Sequence, residues 1–118
     1  MDIQMQFYEA IGNNDINNVE LLLKNEKVNP SKDTNYSIRL ASKNGFFDIV
    51  KLLLNDKKVN PTDRSNCPIL FAYQRGHSNV VDLLWQDKRV KDTLKVDDID
   101  LYNELIKKDQ FKEKVEKF

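Results

Sequence analysis

Leu40-Ala41-Ser42-Lys43-Asn44-Gly45, then Ile49-Val50-Lys51-Leu52-Leu53-Leu54, then Val59-Asn60-Pro61, is the stretch that decides the fold. Its parts return at a spacing of 31 residues: Val19, Val50 and Val81; Leu21-Leu22, Leu52-Leu53 and Leu83-Leu84; Val28, Val59 and Val90; Ala10, Ala41 and Ala72. A period of this size marks a supersecondary unit too small to bury its own apolar face, which gains stability by stacking on its neighbours. The 118 residues hold about three such units plus ends.

Within the middle unit, Ser37 is expected to cap a short helix with Ile38 and Ala41 inward, ending near Asn44. Gly45 follows, where the chain needs a left-handed residue and glycine has no Cβ to clash. A second helix is predicted from Asp48 to Asn55, with Ile49, Val50, Leu52 and Leu53 as its buried stripe and Asp48 complementing its dipole. The polar run to Pro61 then reads as an extended finger anchored by Val59, because Pro61 blocks a helix and disfavours it at Asn60. The other copies vary this pattern. Gly76 stands in register with Gly45 and Asn14 takes the same place in the first copy, with Asp15 placed to cap the next helix. Pro68 suits the first turn of a helix, where its missing N–H costs nothing.

These residues resemble the ankyrin repeat. The middle stretch follows its A-A-x-x-G-H-x-x-I-V-x-L-L-L core, Tyr36-Ser37-Ile38-Arg39 and Cys67-Pro68-Ile69-Leu70 stand where it has T-P-L-H, and Gly76-His77 matches its G-H. The likeness spans about residues 5–92. Two departures stand out: the period is shorter than the usual ~33 residues, and Lys57-Lys58 replaces small residues before the finger valine. This shortened form is similar to arrays in large DNA viruses of amoebae and in protists. The resemblance implies an all-α solenoid of about three helix-turn-helix repeats with helical caps and projecting fingers. It also implies a non-catalytic adaptor that binds another protein through its finger tips and concave face, without a cofactor. Units are placed at residues 1–30, 31–61 and 62–92, with degenerate capping helices over 93–118.

At the front, Met5, Phe7, Tyr8 and Ile11 are expected to pack on the first unit, with Gln4, Gln6 and Glu9 outward. At the far end a helix carrying Leu101, Tyr102, Leu105 and Ile106 is expected to break at Lys107-Lys108-Asp109, before Phe111, Val115 and Phe118 resume helical spacing. Trp85 takes the place of Leu23 and Leu54, which favours a packing role against the cap over a binding anchor.

Composition narrows the function. Lys plus Arg equals Asp plus Glu, 19 each, so nothing suggests a surface built to neutralise phosphates, and nucleic acid is not an expected partner. The opening Met1-Asp2-Ile3-Gln4 has no basic and apolar leader pattern, the apolar runs are too short to span a bilayer, and one cysteine cannot form an internal disulfide. A cytoplasmic or nuclear protein is expected. His77, the single histidine, reads as turn support, and Cys67 as a packed thiol without a base. One His and one Cys do not make a zinc site, and Asp97, Asp98 and Asp100 lack calcium-loop spacing and suit a helix cap better. No metal, cofactor or catalytic set is expected. The lysines of the tail alternate with acids, which favours a solvated face over a membrane-surface helix.

The resemblance places partner-binding residues at the finger tips, Lys32, Asp33, Asn35, Asp63, Arg64 and Asn66, and along the first helices at Lys43, Asn44, Gln74 and Arg75. A monomer is expected. The alternative function is a structural module that stacks on a second copy of itself.

Overall fold

The computed structural model describes residues 1–116. The described residues form eight helices and no strand: α1 (Ile3–Gly12), α2 (Ile16–Leu23), α3 (Lys32–Lys43), α4 (Phe47–Leu54), α5 (Asp63–Gln74), α6 (Ser78–Trp85), α7 (Lys88–Asp97) and α8 (Ile99–Glu116). The helices pair as α1–α2, α3–α4 and α5–α6, and the pairs stack so that first helices pack on first helices and second on second. Each contributes one stripe to a continuous core, in which Phe7, Ile11, Val19, Ile38, Val50, Leu53, Ile69, Val80 and Leu84 are wholly buried. This is the all-α solenoid of stacked helix pairs that the resemblance implies.

The turns inside the pairs follow the 31-residue register. Asn14, Gly45 and Gly76 have φ of 54°, 73° and 76°. The next residue's N–H reaches back to the registered alanine: Asp15 to Ala10 O, Phe46 to Ala41 O and His77 to Ala72 O, at 2.9–3.0 Å. Each turn thereby satisfies carbonyls that a helix end leaves open. Asp15 caps α2 as the sequence predicts, accepting from Asn18 N at 3.2 Å.

The loops between pairs differ from the expected extended fingers. After the buried Val28 and Val59, the chain curls through Pro30 and Pro61 and then places three consecutive residues in the left-handed region: Asp33-Thr34-Asn35 and Arg64-Ser65-Asn66, with φ of 53–63°. Regular helix begins only at Tyr36 and Cys67. Ser37 is therefore no cap; it is buried in the first regular turn and its hydroxyl donates to Pro30 O. Pro68 occupies the corresponding place, where a proline is tolerated.

What holds those left-handed turns is a polar ladder at the same period, the buried Gln4, Asn35 and Asn66 and the exposed Asp97. Gln4 exchanges two hydrogen bonds with the backbone of Asn29, at 2.8 and 2.9 Å. Asn35 Oδ1 accepts from Asn60 N at 2.8 Å while its Nδ2 donates to Asp63 at 2.9 Å. Asn66 Nδ2 donates to Thr93 and Asp97 at 2.7 and 2.8 Å. At its other end Asn66 Oδ1 is buried without a partner. The reason lies in α7: residue 91, equivalent to Asn29 and Asn60, has turned helical, and its N–H goes to Asp87 O instead. Left-handed non-glycine residues cost about 1–2 kcal/mol each, and the amide bonds offset part of that cost. Asn35→Ala, which removes both bonds, is expected to lower stability by about 2 kcal/mol in a urea melt; no change would show that the ladder does not hold the turn.

The ends bring two corrections. At the front Gln4 is buried and Met5 exposed, the reverse of the expected facing, because Gln4 is the first rung of the ladder. At the far end α8 runs unbroken through Lys107-Lys108-Asp109, so its buried residues are Leu101 and Leu105 alone, while Phe111 and Val115 stand in solvent. Phe118 lies outside the described residues. Asp98 caps α8, accepting from Leu101 N at 3.0 Å.

Candidate functional site

Lys32, Asp33 and Arg64 are exposed at the left-handed turns, and Asp63 is half-buried beside them. Arg64 Nε donates to Thr34 Oγ1 at 3.0 Å, which ties the second turn to the first. Along the first helices, Asn44, Gln74 and Arg75 are exposed, and Lys43 is half-buried with its ammonium 5.9 Å from the centre of the Phe71 ring. Asn35 and Asn66 do not share this surface. They are 5% and 0% exposed and belong to the ladder, so they set the spacing of the turns and offer a partner nothing to contact.

Sequence reasoning missed the residues that join the turns to the first helices. Tyr8 meets Tyr36 edge to face at 4.9 Å between ring centres, and the Arg39 guanidinium lies 5.4 Å from the Tyr36 centroid. Arg39 also donates to Asp33 O and Thr34 O at 2.9 and 3.1 Å, which fixes it across the turn. Tyr8 OH donates to Asp33 Oδ2 at 2.8 Å, and burial together with that carboxylate pushes the phenol up to about 12. All three side chains remain partly open to solvent. Tyr8 and Arg39 occupy the same register position, a clue in the sequence that the search for charged tips passed over.

His77 supports a turn, though the preceding one. Its Nε2 lies 3.0 Å from Lys43 O, and its ring fills the space over Gly45, where a Cβ would come within 2.5 Å of Nδ1. Cys67 is half-buried and burial pushes its thiol up, the opposite of an activated nucleophile. Among the described residues no group of three or more His, Cys, Asp or Glu is placed to hold a metal, and no helix is long and apolar enough to cross a membrane.

Trp85 is buried by the cap. Its ring meets Tyr102 edge to face at 5.7 Å and its Nε1–H donates to Asp109 at 2.7 Å, while Lys91 covers the other side at 5.3 Å. It is a packing residue.

A family model described as "Ankyrin repeats (3 copies)" matches residues 7–96, three-quarters of the chain. The chain belongs to the ankyrin-repeat family. No curated protein and no solved structure gives a significant match. Ankyrin repeats are in general protein–protein interaction modules and typically non-catalytic. The surface described above offers aromatic faces, guanidinium groups and amides.

Proposed function

We propose that this ankyrin domain is an adaptor that binds an acidic segment of another protein across the left-handed turns and the exposed side of α3 and α5. The observation that carries this reading is the Tyr8–Tyr36–Arg39 cluster. Two tyrosines and an arginine, held in place by neighbours yet open to solvent, are the residue types that dominate binding energy at interfaces. Around them stand Lys32, Lys43, Arg64 and Arg75 against Asp33 and Asp63, a local excess of positive charge on a chain whose net charge is zero. Asp33 is occupied by Tyr8 and Asp63 by Asn35, which leaves the cations as the groups offered outward. The single half-buried cysteine favours a reducing, intracellular setting. The 31-residue period supports a place among the shortened arrays of large DNA viruses and protists, and for a viral chain the partner would be a host protein.

The test is affinity capture from cell lysate followed by mass spectrometry, comparing the wild type with Arg64→Glu/Arg75→Glu and, separately, with Tyr36→Ala, after melts confirm that each variant folds. A bound protein lost by both variants locates the face, and Tyr36→Ala is expected to weaken binding of the isolated pair about 30-fold or more. A partner retained by both variants would move the site to the α2–α4–α6 side and overturn this reading.

A further inference from the structure

The 31-residue register gives each residue of α8 an equivalent in the preceding units. Phe111 corresponds to Val80 and Ile49, and Val115 to Leu84, Leu53 and Leu22. Every one of those equivalents is buried, yet Phe111 is 69% and Val115 55% exposed. The cause is one position. Lys107 stands where Gly45 and Gly76 make the left-handed turn, and α8 continues straight through it. Residues 107–116 are all exposed, and past Lys108 and Asp109, which bond to α6, the last turns of α8 bury no side chain.

The place those apolar side chains would fill is also open. α2 packs on α4 and α4 on α6, whereas the outer flank of α6 is met by the straight α8, at Lys108–Asp82 and Asp109–Trp85, and by no helix that turns back at residue 107 among the described residues. Between α6 and α8 a cavity of about 210 Å³ is lined by Gly76, His77, Ser78, Val81 and Asp82 and, from α8, by Leu105 and Lys108. One unit earlier the same space over Gly45 is filled by the His77 ring, whereas a Cβ on Gly76 would meet nothing within 4 Å. The chain thus carries both a groove left open beside α6 and an exposed apolar pair whose equivalents in the other units are buried.

The pair is held away from its own groove. Folding back would put Lys107 in the left-handed region, at about 1–2 kcal/mol. It would also disturb the contacts that fasten α8 along α6, Lys108 Nζ to Asp82 at 3.0 Å and Trp85 Nε1 to Asp109 at 2.7 Å. A second copy meets neither obstacle. We propose that two copies of this chain associate reciprocally, the exposed end of each α8 seating Phe111 and Val115 in the groove beside α6 of the other. The charges are compatible with that pairing: Glu104 edges the groove beside the Asp82–Lys108 pair, and two lysines, Lys112 and Lys114, against one acid, Glu113, lie between Phe111 and Val115. The arrangement continues the α2–α4–α6 stack across a two-fold axis, a low-cost route to a closed dimer. It uses the opposite end of the array from the Tyr8–Tyr36–Arg39 cluster and does not rest on the adaptor reading.

Sedimentation equilibrium of the 118-residue chain from about 1 µM to 1 mM tests it. A concentration-dependent dimer is expected, weakened at least tenfold by Phe111→Glu, while Arg64→Glu leaves it unchanged. Because Phe111 is exposed in the single chain, Phe111→Glu should not lower the melting temperature of dilute protein. In a Cys67→Ser background, Phe111→Cys chains mixed with Ser78→Cys chains are expected to form mixed disulfide dimers. A monomer throughout the range, a dimer indifferent to Phe111→Glu, disulfides only between two Phe111→Cys chains, or a Phe111→Cys/Ser78→Cys chain that closes on itself as a monomer would each overturn the proposal.

Discussion

Leu53→Ala is expected to cost about 2–5 kcal/mol, the range for truncating a buried leucine, and thereby to take most or all of the stability of so short a stack. Leu53 lies on α4 at the centre of the array, is 0% exposed, and is in register with Leu22 on α2 and Leu84 on α6. In a solenoid the stability is close to a sum over units and their interfaces, so a cavity in the middle unit weakens contact on both sides at once. A domain of this size commonly has about 5–15 kcal/mol in total. Leu21→Ala provides the control. Leu21 repeats in the sequence as faithfully as Leu22, but it is exposed, and its loss should change stability by no more than about 0.5 kcal/mol. Urea melts followed by circular dichroism separate the two. A loss below about 1 kcal/mol at Leu53 would mean that α4 presents a different face to the core.

The helix pairs and their turns were legible because each rests on a local requirement. Ala41, Gly45 and the Ile49–Leu53 stripe encode a helix end, a left-handed residue and an amphipathic helix within a few residues of one another. The loops were not legible for a physical reason. Three successive left-handed residues without glycine run against local preference, and they are held at Asn35 by a bond to Asn60, 25 residues away. Gln4, Asn35, Asn66 and Asp97 recur at the repeat spacing, but asparagine in a loop ordinarily faces water, so Asn35 and Asn66 read as residues that bind.

The same contrast marks the C-terminal end. Lys107-Lys108-Asp109 interrupts the apolar pattern without supplying a glycine or proline to stop a helix, and α8 runs on. Within the proposed binding surface, the exposure of Lys32, Asp33, Arg64, Gln74 and Arg75 could be read from the repeat alone. The role of Arg39 could not, since it depends on Tyr36 beside it and on the carbonyls exposed by the left-handed turn.

Gly45→Val and Gly76→Val should separate strain from contact, although the two glycines look equivalent in sequence. Their φ values, 73° and 76°, impose the same left-handed cost on a β-branched residue, about 1–2 kcal/mol or more. Only Gly45 is covered: a Cβ there falls 2.5–2.8 Å from three atoms of the His77 ring, which is itself held by Lys43 O. Relief requires moving that ring and losing its hydrogen bond, adding overpacking of about 1–3 kcal/mol. Gly45→Val is therefore expected to be the more damaging by that amount, measured as the difference in unfolding free energy. His77→Ala in the Gly45→Val background should recover part of the loss, because it opens the space and leaves only the backbone strain. Equal losses at the two glycines, or no coupling between residues 45 and 77 in the double-mutant cycle, would show that the histidine does not sit on the turn. The coupling also bears on the array as a whole, since His77 is the contact by which the third unit reads the turn of the second, and the same space over Gly76 is the one left open at the cap.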